Sequence, residues 1–459
     1  MKAELKEITW SFSPEELFAG LCDRRGAFFL DSALESGGLG RYSFIGFDPF
    51  LTFRAVDGLI SLRRSAGEEI FRGDVLLELK KLLAKYRCAP TAEIPFPGGA
   101  VGFFSYEFGA GLERIKSSAD DEFGVPSIEL DFYDGVIMFD HVARRTFLVA
   151  NPIDKYAAVT IFRRLEQVVA QCAIHTFAKP PAKMVTRGVS AAVTKADYLQ
   201  AIARIKDYIA AGDVYQVNLT QRFEAPLAVH PYALYLKLRQ RSPAPFSCYL
   251  NLDSLQVVSS SPERFLRISD GHIETRPIKG TRPRGKNPVE DERLRVELAT
   301  SEKDRAELLM IVDLERNDLG RVCEPGTIGV EELFRVETHP TVHHLVANVS
   351  GKLRAGCDVV DCIRATLPGG SITGAPKIRA MQIIDELEKT RRGVYTGAVG
   401  YIGFDGGCDL NIAIRTIICA HGRAYYHVGG GIVWDSEPEA EYQETLDKGA
   451  AMRAALINP

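Results

Sequence analysis

Apolar residues recur with two different periods along this chain. Gly135-Val-Ile-Met-Phe-Asp140 and Thr146-Phe-Leu-Val-Ala150 have the short apolar runs of strands in a half-buried sheet. Beyond Lys179-Pro-Pro-Ala-Lys183, which continues through Thr186, Arg187 and Gly188, the period lengthens. Tyr198, Ile202, Ile205 and Ile209 lie on one helical face, Thr194 can cap that helix with Asp197 completing a capping box, and Gly212 can end it. Further helices are predicted over 303–314, 376–387 and 439–456, with strands over 256–259, 272–275, 397–404, 411–419 and 424–428. Gly-rich turns between these strands favour antiparallel pairing over parallel crossovers. The Pro-Pro segment is the best internal break and suggests an N-terminal region over 1–185 and a second over 190–459. It reads equally as a surface loop joining two sheets of one unit.

Composition narrows the class. The 459 residues are 46% apolar and 25% charged, the mix of a globular protein with a sizeable core. Lys+Arg 56 against Asp+Glu 60 leaves a net charge of −4, which argues against nucleic acid as partner, since phosphate contacts need a basic excess. The nine cysteines are scattered without a Cys-x-x-Cys pair, as expected of reduced thiols. The charged start Met-Lys-Ala-Glu-Leu-Lys-Glu and the lack of a long apolar run predict a cytoplasmic protein with no membrane span.

Candidate chemistry concentrates after Gly212. Gly369-Gly-Ser-Ile-Thr-Gly-Ala-Pro-Lys377 leads into a helix and suits an anion at its N-terminus, with Pro376 in the first turn; a tight turn with an ordinary cap is the alternative. Glu441 and Glu444 share one helix face, as do Asp304 and Glu307. Converging carboxylates without Cys or His suit a hard cation such as Mg²⁺, although such pairs also occur on solvated faces. Gly429-Gly-Gly431 delivers Glu441 after flexible backbone. Arg264, Lys279, Arg415 and Lys448 form a basic set. In a continuous strand, alternation puts Asn411, Ala413 and Arg415 on one face, where a buried guanidinium needs a carboxylate, from a ligand or an internal pair. Lys448 lies one turn beyond Glu444 and can simply pair with it. Lys279, between Pro277-Ile and Gly-Thr281, sits where a desolvated amine can become a nucleophile, with Glu263 as acid/base partner and His343 or His344 as proton carriers.

Together these segments resemble the chorismate-utilising enzyme family. The resemblance rests on Gly212-Asp-Val-Tyr-Gln-Val-Asn-Leu219, Ser261-Pro-Glu-Arg264, Pro277-Ile-Lys-Gly-Thr281, Asp304-Arg-Ala-Glu307, Asp313-Leu-Glu-Arg-Asn-Asp318 and His344-Leu-Val346. It continues through the Gly369–Lys377 string, Asp409-Leu-Asn-Ile-Ala-Ile-Arg-Thr416, Gly429-Gly-Gly-Ile-Val433 and Glu441-Tyr-Gln-Glu444, spanning 195–459 in order. Gly40-Arg-Tyr-Ser-Phe-Ile-Gly46 and Gly98-Gly-Ala-Val-Gly102 extend it more loosely into the N-terminal half.

The resemblance implies an α+β fold: one large unit of two antiparallel sheets packed as a sandwich, helices outside and an active site in a cleft. It implies Mg²⁺ held by Glu307 and Glu444, with Glu441 and Asp304 beside them, acting on the ring carboxylate of chorismate. Arg415 and Tyr395 would grip the enolpyruvyl carboxylate. Gly370, Ser371, Gly429, Gly430, Gly431 and Lys448 would line the pocket, with His344 near the ring. Gln216 stands where water-using members carry lysine, and Lys279 where anthranilate synthases carry alanine. The first speaks against water as nucleophile, and the second resembles the aminodeoxychorismate synthase branch, on the route to 4-aminobenzoate and folate. There the lysine amine adds to the ring and ammonia then displaces it, Glu263 moving the protons. Anthranilate synthase is the alternative. No Gly-x-Cys-x-Gly glutaminase elbow occurs, so ammonia would come from a glutamine amidotransferase subunit or from solution. Leu308 replaces a common Asn and Ala347 a common Ser, neither a catalytic group. Ser32, Arg41, Tyr42 and Ser43, with Pro245 and Phe246, align with the tryptophan pocket of relatives; ordinary core packing is the other reading.

Overall fold

A computed structural model describes residues 2–9, 12–34, 38–91, 93–115, 117–119, 121–153, 157–174, 188–340 and 342–457. The Lys179–Lys183 break, with Thr186 and Arg187, lies outside them. Two twelve-stranded sheets form the framework, and every pairing between strands is antiparallel. The first sheet runs from Glu4–Ile8 through Arg145–Ala150, Gly135–Asp140, Tyr42–Gly46 and Phe28–Asp31. It continues into Phe246–Asn251, Gln256–Ser261, Thr416–Ala420, Arg423–Ile432 and Gln216–Pro226. The second runs from Ile278–Pro283 through Val342–Lys352, His272–Arg276, Arg264–Ser269, Cys408–Ile412, Ala398–Gly403 and Gly99–Phe104 to Gly67–Arg72 at its far edge. Both sheets therefore take strands from before and after residue 185.

Alternation along the strands builds the layers. In Gly99–Phe104 every residue is buried: Val101 and Phe103 join the cluster between the sheets with Phe28, Phe44 and Met138, while Ala100 and Phe104 pack on the other face. That outer face is covered by helices including Val75–Lys85, Glu302–Gly320 and Val359–Thr366. The first sheet is covered outside by Pro14–Ala19, Ala158–Ile174, Pro231–Arg241 and Pro438–Ile457. The α+β sandwich with helices outside is thus the observed architecture. The helix predicted from Thr194 runs Lys195–Ala210 with its capping box formed, and Gly212 follows at φ +81°, the left-handed turn a glycine permits.

Three local predictions differ from the structure. The run 411–419 is not one strand. Cys408–Ile412 belongs to the second sheet and Thr416–Ala420 to the first, and the chain crosses between them with Arg415 at φ +49°. Both flanks are apolar because both are buried, so the sequence reads as continuous. Gly429–Gly431 is not flexible loop but part of the strand Arg423–Ile432, paired with Gln216–Pro226 in register Gly430↔Leu219. Pro376 is not in the first turn but is the N-cap of Lys377–Leu387, and the segment before it forms the short helix Gly370–Ile372 and the strand Gly374–Ala375.

Candidate functional site

Two crossings between the sheets lie side by side and create the site. Gln256–Ser261 in the first sheet passes through Pro262 and Glu263 into Arg264–Ser269 in the second. The second crossing is the 413–415 break. The Ser261 hydroxyl donates to the Ile412 carbonyl at 2.6 Å and the Ile412 N–H donates to the Glu263 carbonyl at 3.0 Å, tying the crossings together. A crossing interrupts strand pairing, so polar side chains enter the interior where alternating strands admit few. Glu263 is 4% exposed, and Oε1 of its carboxylate has no hydrogen-bond partner among the described residues. Burial pushes its carboxyl up to about 7, against the opposing pull of the Lys279 and Lys448 charges.

Lys279 comes from the edge strand Ile278–Pro283. The register slips between Lys279 and Thr281 across Gly280, a bulge with φ +74°. Bulges re-aim neighbouring side chains. A Cβ on Gly280 would meet Leu298 Cδ1 at 2.8 Å and Asp304 Cβ at 2.9 Å, so only glycine fits against the helices behind it. Lys279 is part-buried. Its Nζ donates to the Ser371 carbonyl at 3.3 Å. Burial lowers its pKa below the usual lysine range, Lys448 adds to that, and Glu307, Glu263 and Glu444 oppose it. A carbonyl acceptor and a depressed pKa leave the amine positioned but easily deprotonated.

Carboxylates from two helices approach this amine. Glu307 projects from Glu302–Gly320, Glu441 and Glu444 from Pro438–Ile457. Burial raises the carboxyls of Glu307 and Glu441, and each is raised further by a neighbouring acid. The Ser436 hydroxyl donates to Glu441 at 2.7 Å. Burial also pushes Glu444 up, but Lys448 at 2.7 Å prevails and holds it below the ordinary carboxylate range. Lys448 donates to the Gly429 carbonyl at 3.0 Å, so the expected i,i+4 pair exists and also ties the helix to the glycine strand. A Cβ built on Gly430 would lie 3.3 Å from Glu441 Oε2, 3.8 Å from Glu444 Oε1 and 3.9 Å from Lys448 Nζ. The bare strand therefore keeps room against these groups. Oxygen donors without Cys or His are the ligand set that a hard divalent cation would take. Asp304 instead pairs with Arg282 at 3.0 Å.

On the other side, Arg415 has no carboxylate partner among the described residues, and burial lowers its pKa. An unpaired, largely enclosed guanidinium is a group that can seat an anion. The Thr396 N–H donates to the Ala413 carbonyl at 2.9 Å, setting Tyr395 next to this crossing. Tyr395 stacks on His427 with centroids 5.2 Å apart. His344 is buried, receives or donates at Thr281 Oγ1 over 2.9 Å, and is kept neutral by burial and by Arg415. His343 instead contacts Asp291 at 3.0 Å. Ser371 Oγ has no hydrogen-bond partner among the described residues, and Gly370 packs against Leu314, where a Cβ would come within 2.7 Å. Arg264 is spent on Asp409 at 3.0 Å and on Glu274 at 2.6 Å.

A separate cavity of about 950 Å³ is lined by Ser32, Arg41, Tyr42, Pro245 and Phe246. Ser43 turns away from it, 2.7 Å from His141 Nε2, and Arg41 pairs with Asp140 at 2.7 Å.

Sequence reasoning passed over three buried groups. Arg392 and Glu388 form an interior ion pair, with Glu388 also accepting from the Thr220 N–H at 2.9 Å. Glu315 is 5% exposed and its Oε2 has no partner among the described residues. Its signal was present: Leu308, Ile311, Val312, Glu315 and Leu319 form one helical stripe, with a carboxylate in a core position.

Comparison with known proteins adds a family assignment. The profile of the chorismate binding enzymes matches residues 33–454. Aminodeoxychorismate synthase component 1 of Bacillus subtilis is 42% identical over 428 residues, covering 92% of this chain and 91% of that protein. Anthranilate synthase component 1 of Streptomyces coelicolor is 40% identical over 460 residues, covering 97% and 87%. The crystal structure of anthranilate synthase component I from Streptococcus pneumoniae superposes with a TM-score of 0.82 at 31% identity, covering 92% of this chain and 93% of that one.

Proposed function

Since the chain belongs to the chorismate binding enzyme family, we propose that it aminates chorismate to 4-amino-4-deoxychorismate. The observation that carries this reading is Lys279: an amine of depressed pKa, held by the Ser371 carbonyl between Glu263 and the carboxylate set. An amine nucleophile has a chemical purpose in this reaction. One displacement by ammonia with allylic shift moves the new bond along the ring; two successive displacements return it to the carbon that lost the hydroxyl. Lys279 Nζ forms a bond to the ring as the hydroxyl departs, and Glu263 gives that hydroxyl its proton, so that water leaves. Ammonia then displaces the lysine, and Glu263 recovers a proton from the new ammonium. Arg415 and Tyr395 hold the enolpyruvyl carboxylate, which stays attached throughout. Glu307 and Glu444, with Glu441 beside them, would hold Mg²⁺, which would supply Lewis-acid charge at the ring carboxylate.

Relatives named component 1 imply a second component, and we assign to it the supply of ammonia as a glutamine amidotransferase subunit. Anthranilate synthase is the second reading, favoured by the similar identity to the Streptomyces coelicolor protein. Lys279 supports the first, because a single displacement does not need it. Purified protein with chorismate, Mg²⁺ and ammonium is expected to yield aminodeoxychorismate without pyruvate, read by chromatography and mass spectrometry. Fluorescent anthranilate with stoichiometric pyruvate would overturn the assignment.

A further inference from the structure

The acid/base group Glu263 has a second carboxyl behind it. Glu315 lies on the buried stripe of Glu302–Gly320, one residue after Leu314, whose side chain packs under Gly370 and so under the short helix carrying Ser371. The Thr275 hydroxyl faces the Glu315 carboxyl from the strand His272–Arg276. Arg276 of that strand stands opposite Arg264, the residue after Glu263. Helix, strand and crossing thus bring Glu315 and Glu263 to the same buried region from opposite sides. Three polar atoms there have no partner among the described residues: Glu263 Oε1, Ser371 Oγ and Glu315 Oε2. Side chains this deeply buried are normally satisfied, and orphaned oxygens on two neighbouring carboxyls mark a place where a proton is held.

We propose that Glu315 is a positioning residue that acts through Glu263, as the buried proton reservoir for the acid/base carboxyl. The inference rests on the acid/base role given to Glu263 above. The charged groups around the pair are few. Lys279 and Lys448 face Glu263, while Asp318 on the same helix and Lys377 from Lys377–Leu387 face Glu315. Asp318 and Lys377 are themselves paired, leaving little net charge on that side. Burial, and after it the neighbouring Glu263, pushes the Glu315 carboxyl well above its ordinary range, which favours its protonated form; the proposal takes Glu315 as the carboxyl that holds the shared proton. The cycle balances. Glu315 passes its proton to ionised Glu263, which gives it to the departing hydroxyl. The ammonium formed on the ring later returns one proton to Glu263, and this passes back to Glu315. Lys279, which becomes a substituted ammonium in the same step, sits beside the pair while both carboxyls are ionised.

The test is the pH profile of kcat for amination at constant free ammonia. In the unaltered enzyme the rate is expected to level off above about 7, because the pair still holds a proton. In Glu315→Gln the rate should match at low pH and fall about tenfold per pH unit above the value of Glu263 alone. A uniform loss at every pH, or superimposable profiles, would overturn the reservoir role. Should Glu315→Gln fail to fold, infrared difference spectra of Glu263→Gln against pH provide the second measurement. One protonated carboxylic acid must persist there at alkaline pH, and its absence would be equally fatal. Glu263→Gln turnover separates the two claims. If that variant still aminates, the acid/base reading itself fails; if it is inactive while Glu315→Gln has the original profile, only the reservoir fails.

Discussion

Three consecutive glycines can separate folding from chemistry in this protein. Gly429, Gly430 and Gly431 lie in one paired strand, and none has the positive φ that would itself forbid alanine. What differs is the space each methyl would enter. On Gly429 a Cβ would lie 2.4 Å from the Leu219 carbonyl oxygen and 2.6 Å from Thr220 Cγ2, so the paired backbone must shift. Overpacking of that kind costs about 1–3 kcal/mol. On Gly431 the contacts are with the Gln216 amide at 2.8–3.2 Å, a side-chain end that can turn at smaller cost. On Gly430 the nearest atoms are the ends of Glu441, Glu444 and Lys448 at 3.3–3.9 Å, which can give way, and the gain in backbone rigidity offsets part of that cost. Gly430→Ala should therefore stay within about 0.5 kcal/mol of the parent in urea unfolding. It should nonetheless lose about 100-fold in kcat/KM, the scale expected when reacting groups are misplaced by about 1 Å. Gly429→Ala should lose stability first, with turnover following the folded fraction. Urea midpoints and steady-state kinetics on the same preparations check both. Full activity in Gly430→Ala, or a destabilisation equal to that of Gly429→Ala, would refute the placement of ligand space against that strand.

Lys279→Ala should abolish the chorismate-derived mass adduct on the protein along with most amination, as intact-protein mass spectrometry and product assay will register. Glu263→Gln should slow kcat by about 10²–10⁴-fold with the fold intact by circular dichroism. Chelation should stop turnover and added Mg²⁺ restore it, and Glu307→Gln should raise the Mg²⁺ needed for half-maximal rate by at least about tenfold. Glu388→Ala leaves the Arg392 guanidinium, 1% exposed, without its charge partner in the interior, and should destabilise the protein by about 3–5 kcal/mol in urea titration.

What the sequence disclosed depended on whether a residue acts through local spacing or through the meeting of distant segments. The helix starting at Thr194 was readable because its cap, its apolar stripe and its terminating glycine all lie within one short window. The i,i+3 and i,i+4 relations among Glu441, Glu444 and Lys448 were readable for the same reason, though spacing alone could not say that Lys448 also bonds the Gly429 carbonyl. Arg415 shows where periodicity fails. The strands on either side of it are buried in different sheets, and apolar content is the same whichever sheet buries it. The backbone turns at Arg415 with φ +49° between the two sheets, and nothing in Ile-Ala-Ile-Arg-Thr announces it.

The crossings also explain why the polar groups gather where they do. A sandwich whose inner faces are filled by Phe28, Phe44, Phe103 and Met138 has no room for a carboxylate and an arginine along its paired strands. Where the chain passes from one sheet to the other, pairing is interrupted twice in adjacent segments, and Glu263 and Arg415 enter there. The helix Glu302–Gly320 closes this opening from outside and brings two carboxylates two turns apart, Glu307 toward Lys279 and Glu315 toward Glu263. Glu307 is part-exposed and Glu315 is buried, so in the proposed mechanism the same residue type on one helix would serve a cation in the first position and a proton in the second. The near-zero balance of charges over the whole sequence conceals this division, because opposite charges separated across one cleft cancel in the sum but not in the field a small dianion would meet.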